Sequence, residues 1–316
     1  MREPGDFLKL TWLGEEVVAY NDGGNVIVFD NVCPHRGARF LTEESGNAPL
    51  TCRYHGWSYR AGRLRIPGRE SYCESQIEAV RLGTIRSEWH GDFLFAAVSP
   101  EFSLREQLAG VGDVLVEISR SIATRIDLNS YVYRCDWKVA VENALEPCHI
   151  DLVHAETLSK LRLADGRDEL FDYASVWHSG LKDTRSNARL SAMRRFFDLS
   201  YQYDGYVSIF LYPFSMISST YGYSYSIQHF LPGNEPFATN FSSRLLASRL
   251  KSTVPPSLVE SYFDSSAAFN RKVFEEDHEI CRRVSRQFWN KDRHMPLSRA
   301  ELKVAQFRRL YAADSR

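Results

Sequence analysis

Two short stretches decide how the first part of this chain folds: Cys33-Pro34-His35-Arg36-Gly37 and Cys52-Arg53-Tyr54-His55-Gly56-Trp57. Each supplies one cysteine and one histidine, and sixteen residues separate the two pairs. Two irons bridged by sulfide need four protein donors, and exchanging two thiolates for neutral imidazoles raises the reduction potential of such a cluster. The pattern therefore predicts a [2Fe-2S] cluster bound by Cys33, His35, Cys52 and His55.

A structural zinc site is the alternative for these residues, because zinc also binds cysteine and histidine. Zinc sites favour a cysteine pair followed by a histidine pair, whereas here each loop contains one residue of each type. The arrangement favours the iron–sulfur cluster.

Both ligand loops are predicted to lie at the tips of β-hairpins, which would hold a cluster from opposite sides. Residues 8–13 and 26–29 flank an intervening strand and a turn rich in asparagine and glycine. The second loop leads into a turn at Ala61-Gly62, and residues 91–98 form a closing strand. We expect an α+β protein with an all-β domain over residues 1–100 and a domain of helices and antiparallel sheet over residues 101–316.

Composition indicates an ordinary globular protein of about two domains. The 316 residues are 44% hydrophobic and 25% charged, with a net charge of -1, which gives no indication of a nucleic-acid or membrane partner. No apolar leader or run of eighteen apolar residues occurs, and the four cysteines outside the ligand loops are scattered. These features predict reduced thiols and a cytoplasmic protein.

A second group of metal-binding residue types lies between Glu142 and His154. His149 and His154 are five residues apart, which on a regular helix places them ~140° apart around the axis. Pro147 should distort such a helix, and a locally widened turn would bring both rings to one face. In a chain with nine histidines this pair alone is weak evidence for a site.

The third ligand is indicated by a predicted helix over residues 257–289. Asp277 lies at the centre of its apolar stripe, and the neighbouring charges, Glu276 among them, are expected towards its flanks. The stripe consists of Phe269, Val273, Phe274, Ile280, Cys281, Val284 and Phe288. A buried carboxylate is costly unless an arginine, hydrogen bonds or a metal satisfy it. With the two histidines, Asp277 would form the facial triad that binds iron(II) with open positions.

Together these residues resemble the catalytic alpha subunit of the Rieske non-heme iron oxygenases. The family motif runs Asn-x-x-Asp-x-x-His-x-x-x-x-His, and Asn143, His149 and His154 fall on it. The resemblance implies a helix-grip fold for the second domain and Asp277 as the third iron ligand.

Glu146 departs from the family motif, because most members carry an aspartate at this position. The resemblance implies that this residue bridges the two metal centres, joining His55 of a neighbouring subunit to His149. A glutamate here is similar to the carnitine monooxygenase branch. A solvated helix carboxylate is the simpler interpretation of Glu146.

The resemblance also implies the reaction and its partners. Such an enzyme uses O2 at a mononuclear iron(II) and receives electrons from the cluster of a neighbouring subunit in a head-to-tail homotrimer. The chain has no Gly-x-Gly-x-x-Gly segment, so NAD(P)H would act only indirectly, through a flavin and iron–sulfur reductase or a ferredoxin. The implied reaction is monooxygenation, as hydroxylation or oxidative demethylation of a small organic molecule, with aromatic-ring cis-dihydroxylation as the alternative.

A substrate pocket is predicted from aromatic residues in the β-rich region 201–250. Alternation along residues 221–229 places three tyrosines and a histidine on one face of a strand, close to two further aromatic residues. The predicted lining residues are Phe210, Tyr212, Tyr221, Tyr223, Tyr225 and His229. Aromatic faces could stack against a ring or hold a quaternary ammonium group. Ordinary sheet-core aromatics are the simpler alternative.

Two functions of other classes are also compatible with parts of the chain. A Rieske electron carrier would need only about the first hundred residues, and a zinc-binding structural module would need only the cysteine and histidine loops. The long second domain, with His149, His154 and a centred Asp277, favours the oxygenase.

Overall fold

The computed structural model describes residues 1–12, 14–289 and 295–314. Leu13, predicted at the end of the first strand, and the side chain of Phe288 lie outside the described residues. The chain divides into two compact units, Met1–Trp89 with Leu94–Glu101 and His90–Phe93 with Phe102–Arg316. The predicted α+β class is confirmed, because a β unit precedes a unit of helices around an antiparallel sheet.

The first unit is a six-stranded sheet in the order β4-β1-β2-β3-β7-β8, with a separate two-stranded hairpin of β5 and β6. Its strands are β1 (Asp6–Trp12), β2 (Glu15–Asp22), β3 (Asn25–Asp30), β4 (Ser45–Asn47), β5 (Ser58–Arg60), β6 (Arg63–Arg65), β7 (Thr84–His90) and β8 (Phe93–Ala97). One short helix, α1 (Glu74–Ala79), and a 3-10 turn at Arg69–Ser71 accompany them.

The core of this unit also holds the two ligand loops. Val18 and Phe29 from neighbouring strands are fully buried, and they belong to the same apolar cluster as Trp57. Cys33 and Cys52 belong to this cluster and are 1% and 2% exposed. The loops are thus fixed by the packing that stabilises the sheet.

The second unit is built on a seven-stranded sheet in the order β10-β11-β12-β13-β14-β15-β9, with antiparallel neighbours throughout. Its strands are β9 (Ile122–Tyr133), β10 (Arg167–Leu170), β11 (Ala174–Ser179), β12 (Tyr206–Leu211), β13 (Ser215–Thr220), β14 (Ser224–Pro232) and β15 (Thr239–Ser248). Its helices are α2 (Leu104–Gln107), α3 (Gly112–Ser121), α4 (Trp137–Leu145), α5 (Ile150–Val153), α6 (Thr184–Met193), α7 (Glu260–Cys281), α8 (Arg286–Trp289) and α9 (Leu302–Asp314). Short 3-10 helices cover Leu158–Leu161, Arg194–Phe196 and Pro256–Leu258.

The long helix α7 is held against one side of this sheet, which is the predicted helix-grip arrangement. It packs on β9, β14 and β15 and also on α4. The Tyr133 hydroxyl donates to the backbone oxygen of Phe274 at 2.9 Å, and the Arg134 N–H donates to His278 Nε2 at 3.0 Å. These bonds fix the rotation of α7 and therefore the direction of its Asp277.

Three segments differ from the sequence-based expectation. The predicted strand beginning at Tyr221 begins at Ser224, because Tyr221 has a φ of 59° in the turn after β13. β13 itself was not predicted, since four of its six residues are serine or threonine and give no apolar alternation. The predicted helix over 257–289 is divided into α7 and α8.

Among the described residues, no helix has both the length and the apolar character needed to cross a bilayer.

Candidate active site

His149 and His154 lie at the two ends of one short helical turn that follows a break in the chain. α4 ends at Leu145, Glu146 is extended, and α5 covers only Ile150–Val153. The two Nε2 atoms are 3.2 Å apart. The sequence predicted a widened turn within one helix, but the helix stops before Pro147, which has no N–H to continue it.

Asp277 points from the buried face of α7 at both histidines. Its Oδ1 lies 3.5 Å from His149 Nε2 and 3.1 Å from His154 Nε2, and Asn143 Nδ2 donates to the same oxygen at 2.7 Å. In the described part of the chain, the two histidines and Asp277 are the one group of three or more potential ligands whose atoms all lie within 4.8 Å of one another. Two imidazoles and one carboxylate on one side of an ion form a facial set suited to iron(II).

Each of these histidines is oriented by a carboxylate at its other ring nitrogen. Glu146 Oε1 lies 2.6 Å from His149 Nδ1, and Glu276 Oε2 lies 2.9 Å from His154 Nδ1. Glu146 also accepts the Cys148 N–H. A carboxylate at Nδ1 holds the proton there and leaves the Nε2 lone pair for a metal.

Glu276, which the sequence analysis placed on the flank of the helix, is a site residue whose contact with His154 it did not predict. It precedes Asp277 by one residue, about 100° around the axis, and its side chain is 12% exposed at the edge of the buried face. The Thr157 hydroxyl donates to Glu276 Oε2 at 2.5 Å. A carboxylate directly before a predicted ligand was the available signal.

The protonation of the ligands is tied to their mutual contacts. Burial would raise the pKa of Asp277, but hydrogen bonds from His149 and His154 lower it to about 2. Burial would lower the pKa of His149, but Asp277 and Glu146 raise it to about 9, and the pKa of His154 is also raised. A bound metal ion takes the place of the protons that these nitrogens otherwise hold.

A cavity of about 300 Å³ opens beside these residues. His149, His154 and Asp277 form part of its wall, together with Glu146. The sheet contributes a neutral polar wall of Ser208, Ser218, Ser219, Ser224, Ser226 and Gln228. The apolar lining includes Leu158, Leu161, Met216, Leu245, Phe269 and Val273. A cavity of this size accepts a small organic molecule.

The six residues predicted to line the pocket are not among the lining residues of this cavity, and this part of the prediction is corrected. β14 turns Ser226 and Gln228 towards the cavity, so Tyr225 and His229 lie on the opposite face of the strand. The His229 ring contacts Ser215 Oγ at 2.9 Å instead.

The other four predicted pocket residues pack into the protein core. Tyr221 and Tyr223 belong to an apolar cluster with Phe197, and Phe210 and Tyr212 belong to the cluster that contains Phe307. The aromatic residues that do line the cavity are Trp177, Tyr206, Tyr262, Phe269 and Phe274. Because α7 and the strands β11 and β12 bring them together, spacing along a single strand could not identify them.

In the first unit, Cys33 and Cys52 begin two loops of matching geometry. The Gly37 N–H donates to Cys33 O at 2.9 Å, and the Gly56 N–H donates to Cys52 O at 3.0 Å. Both glycines have a φ of 72°, a conformation that side-chain-bearing residues rarely adopt. The two loops therefore present their ligands in the same way.

The four predicted cluster ligands converge between these loops. The rings of His35 and His55 have centroids 4.6 Å apart, and His35 stacks on Trp57 with an interplanar angle of 3°. His35 Nδ1 is buried without a hydrogen-bond partner among the described residues, which fits a nitrogen that binds metal. Burial and the adjacent Cys52 thiol raise the pKa of Cys33, and a nearby metal cation would stabilise the thiolate.

Family comparisons agree with this geometry. Residues 1–71 match the Rieske [2Fe-2S] domain, and residues 120–314 match the catalytic domain of the ring hydroxylating alpha subunit. The second match covers more than half of the chain. This chain belongs to the ring-hydroxylating alpha subunit family.

Two curated relatives of this alpha subunit illustrate the family. It is 30% identical over 156 residues to the glycine betaine monooxygenase oxygenase subunit of Chromohalobacter salexigens. The matched region covers 48% of this chain and 35% of that protein. It is 30% identical over 177 residues to the toluate 1,2-dioxygenase subunit alpha of Pseudomonas putida, covering 48% and 37%. The matched part is thus little more than a third of each relative.

The alpha-subunit fold is also found in solved structures. A structure of the quaternary ammonium Rieske monooxygenase CntA with an inhibitor has a TM-score of 0.78 at 18% identity, covering 99% of this chain and 85% of that chain. At this identity the similarity establishes the fold alone.

The Rieske and catalytic domains imply a [2Fe-2S] cluster and a mononuclear iron that works with O2. The donor sets suit both groups, with two thiols and two imidazoles in one unit and the facial triad in the other.

Proposed function

We propose that this chain is the oxygenase component of a two-part enzyme that hydroxylates or oxidatively demethylates a small organic molecule. The observation that carries the proposal is the convergence of His149, His154 and Asp277 at the wall of the 300 Å³ cavity. A Rieske domain in the same chain supplies electrons of suitable potential. A simple Rieske electron carrier would not need the triad or the cavity.

The chemistry divides between the bound groups and the protein. Iron with O2 supplies the oxidising power, and the cluster supplies electrons one at a time. The protein holds the Nε2 atoms of both histidines towards the iron by means of Glu146 and Glu276. The apolar lining of the cavity, which includes Leu158, Leu161 and Phe269, would position the substrate beside the triad.

Glu146 is proposed to connect the two metal centres of neighbouring subunits, and Asn143 to hold Asp277 in place. Glu146 Oε1 contacts His149 Nδ1, and Oε2 accepts the Cys148 and His149 N–H groups. This leaves one of about four acceptor positions for a second imidazole such as His55 of an adjacent copy. A head-to-tail homotrimer closes such contacts into a ring. A structure of CntA is described as giving insight into inter-subunit electron transfer, which supports this assembly.

The partners follow from the same proposal. The electrons come from a separate reductase or ferredoxin, which is oxidised at the cluster, and the substrate is a small aromatic or quaternary-ammonium compound. The names of the relatives, which include glycine betaine, carnitine and toluate enzymes, support this range. All six cysteines are unpaired thiols, so a cytoplasmic location stays our prediction.

Metal analysis and oxygen labelling test the proposal. The oxygenase should contain about three irons per chain, an electron carrier about two, and a zinc module none. With a surrogate reductase, NADH and 18O2, one labelled oxygen should enter the product. Two labelled oxygens on adjacent ring carbons would instead indicate cis-dihydroxylation, the second candidate, which the similarity to toluate 1,2-dioxygenase favours. Full turnover by His154→Ala would contradict the iron assignment.

A further inference from the structure

The cavity beside the triad contains a buried ammonium group that the proposed function has not used. Among the described residues that line it, Lys303 is the one lysine, and arginine does not occur. Lys303 stands in the first turn of α9, and it is 4% exposed. A lysine so deeply buried is rare unless a partner satisfies its charge.

The groups around Lys303 offset its charge but do not accept hydrogen bonds from its ammonium. The nearest described carboxylate oxygen, Asp168 Oδ1, lies 3.8 Å from Nζ, which is too long for a hydrogen bond, and this oxygen has no other partner among the described residues. The ammonium also lies over the Trp177 ring, 5.3 Å from its centroid. An ammonium has three donors, and these two contacts leave them without an acceptor.

The Trp177 ring is the platform over which this ammonium lies. Its indole packs directly on Gly166, where an added Cβ would come within 1.8 Å of Nε1. Trp177 and Lys303 both line the cavity, and the contact with the ring holds the lysine side chain against its wall. The absence of a side chain at Gly166 therefore leaves space for the Trp177 ring, over which the Lys303 ammonium lies.

The other charged side chains in the cavity wall already have hydrogen-bond partners within the protein. Glu146 accepts from His149 and from backbone N–H groups, and Asp277 accepts from Asn143 and contacts both histidines. The remaining polar lining consists of neutral hydroxyl and amide groups. A purely cationic ligand would face the repulsion of Lys303, and an uncharged ligand would offer the ammonium only weaker, neutral acceptors. Asp168 balances the charge of Lys303 from 3.8 Å without accepting a hydrogen bond, so a ligand carboxylate would supply the strong acceptors that the ammonium lacks.

We propose that Lys303 binds the carboxylate of the substrate, so that small monocarboxylates, including zwitterions that also carry a quaternary ammonium, are the substrate class of this cavity. Burial lowers the pKa of Lys303 to about 8, so the side chain is mainly charged at neutral pH. The aromatic residues Tyr206, Tyr262 and Phe269 elsewhere in the lining provide faces for a ring or an ammonium. The proposal rests on the proposed function only in taking this cavity as the substrate site.

Binding measured without turnover tests the proposal separately from the oxygenase function. The metal-loaded protein is titrated anaerobically by calorimetry with benzoate and benzamide, and with trimethylglycine and its amide. In at least one of the two pairs, the carboxylate should bind the unaltered protein more tightly than its amide. If neither carboxylate binds more tightly than its amide, the proposal is wrong, whatever the oxygen-consumption assay shows.

Two variants then locate the effect at Lys303. Lys303→Met could unfold the site by leaving Asp168 buried alone, so the charge-balanced Lys303→Met/Asp168→Asn protein is the decisive one. It should lose about 10- to 100-fold in affinity for the carboxylate that wild type prefers and keep its affinity for the amide. The exposed Lys272→Met on α7 is the matched control and should leave both affinities unchanged. Equal carboxylate affinity in wild type and in the double variant would show that Lys303 is only a structural partner of Asp168.

Discussion

At the scale of single residues, the metal centre depends on two glutamates that do not themselves face the ion. Glu146 and Glu276 hold His149 and His154 by their Nδ1 atoms, so that both Nε2 lone pairs converge on one point. They differ in their second partners, because Glu276 is also held by Thr157 whereas Glu146 caps a backbone turn. The two carboxylates can therefore be tested independently.

Replacing Glu276 by alanine should weaken iron binding about 10- to 100-fold, because His154 loses the acceptor that fixes its orientation and raises its basicity. Iron(II) titration in the presence of a chelating dye measures the affinity, and the visible absorbance of the cluster should not change. Glu276→Gln keeps an acceptor and should restore part of the loss. The neighbouring, exposed Glu275→Ala is the control. An unchanged iron affinity in Glu276→Ala would show that Thr157 and packing suffice.

The charge of Lys303 gives the cavity a pH dependence. Benzoate affinity should be constant between pH 6 and 7 and should fall about tenfold for each pH unit well above 8, because the ammonium loses its proton near pH 8. The charged groups that face it are Asp168 and Glu146, and both favour the protonated form. In Lys303→Arg the guanidinium stays charged, so any remaining affinity should not fall up to pH 10. A wild-type profile that is flat to pH 10 would contradict the role of Lys303.

At the scale of secondary-structure elements, the hairpin of β13 and β14 separates the cavity from the core behind the sheet. Ser226 and Gln228 face the cavity, and Tyr225 and His229 face away from it. Burial, together with the nearby Arg244, lowers the pKa of His229 to about 3, so its ring is neutral in the folded protein at physiological pH.

This partly buried, neutral histidine should make the fold sensitive to acid. The folded-state pKa lies below the ordinary value of 6.5, so the unfolded chain takes up a proton first and stability falls as pH decreases from 6.5 towards 3. Between pH 7.5 and 5.5 the loss from this group should be about 1.4 kcal/mol. Urea unfolding followed by circular dichroism measures the free energy of unfolding at each pH. This free energy should fall less between about pH 7.5 and 5.5 in His229→Asn than in wild type. Equal pH slopes in the two proteins would mean that the ring is already solvated in the fold.

The same hairpin shows where sequence patterns suffice and where they fail. Local signals predicted the ligand loops and the central position of Asp277 on α7, because both depend on residues close in sequence. The pocket was assigned to the wrong face, since alternation groups Tyr225 with His229 but does not tell which face of the strand lies towards the cavity. Trp177 and Lys303 could not be found together, because the sheet and α9 join segments more than a hundred residues apart.

At the scale of the whole molecule, one chain carries both a cluster site and an iron site, and the proposed trimer pairs them between subunits. The pairing can be tested by coexpressing a Cys52→Ser chain and a His154→Ala chain with different tags. Each variant alone should be inactive. Doubly tagged oligomers should recover up to about a third of wild-type turnover, because every mixed ring of three contains one junction at which an intact cluster faces an intact iron.

Complete inactivity of the doubly tagged oligomers would contradict transfer between subunits and favour transfer within one chain. Purification through both tags ensures that any Cys52→Ser chain in the sample has folded well enough to assemble. Wild-type chains carrying the same two tags provide the reference rate.

The burial of Cys33 and Cys52 in the core of the first unit has a consequence for how this protein is made in the cell. Because these thiols pack with Val18, Phe29 and Trp57, a chain that has not yet received iron and sulfide has an incompletely satisfied core. Cluster binding therefore adds to the free energy that stabilises the folded Rieske domain. Supply of iron and sulfur would set the amount of protein that survives proteolysis, so the steady-state level of the enzyme would follow nutrient status even at constant transcription.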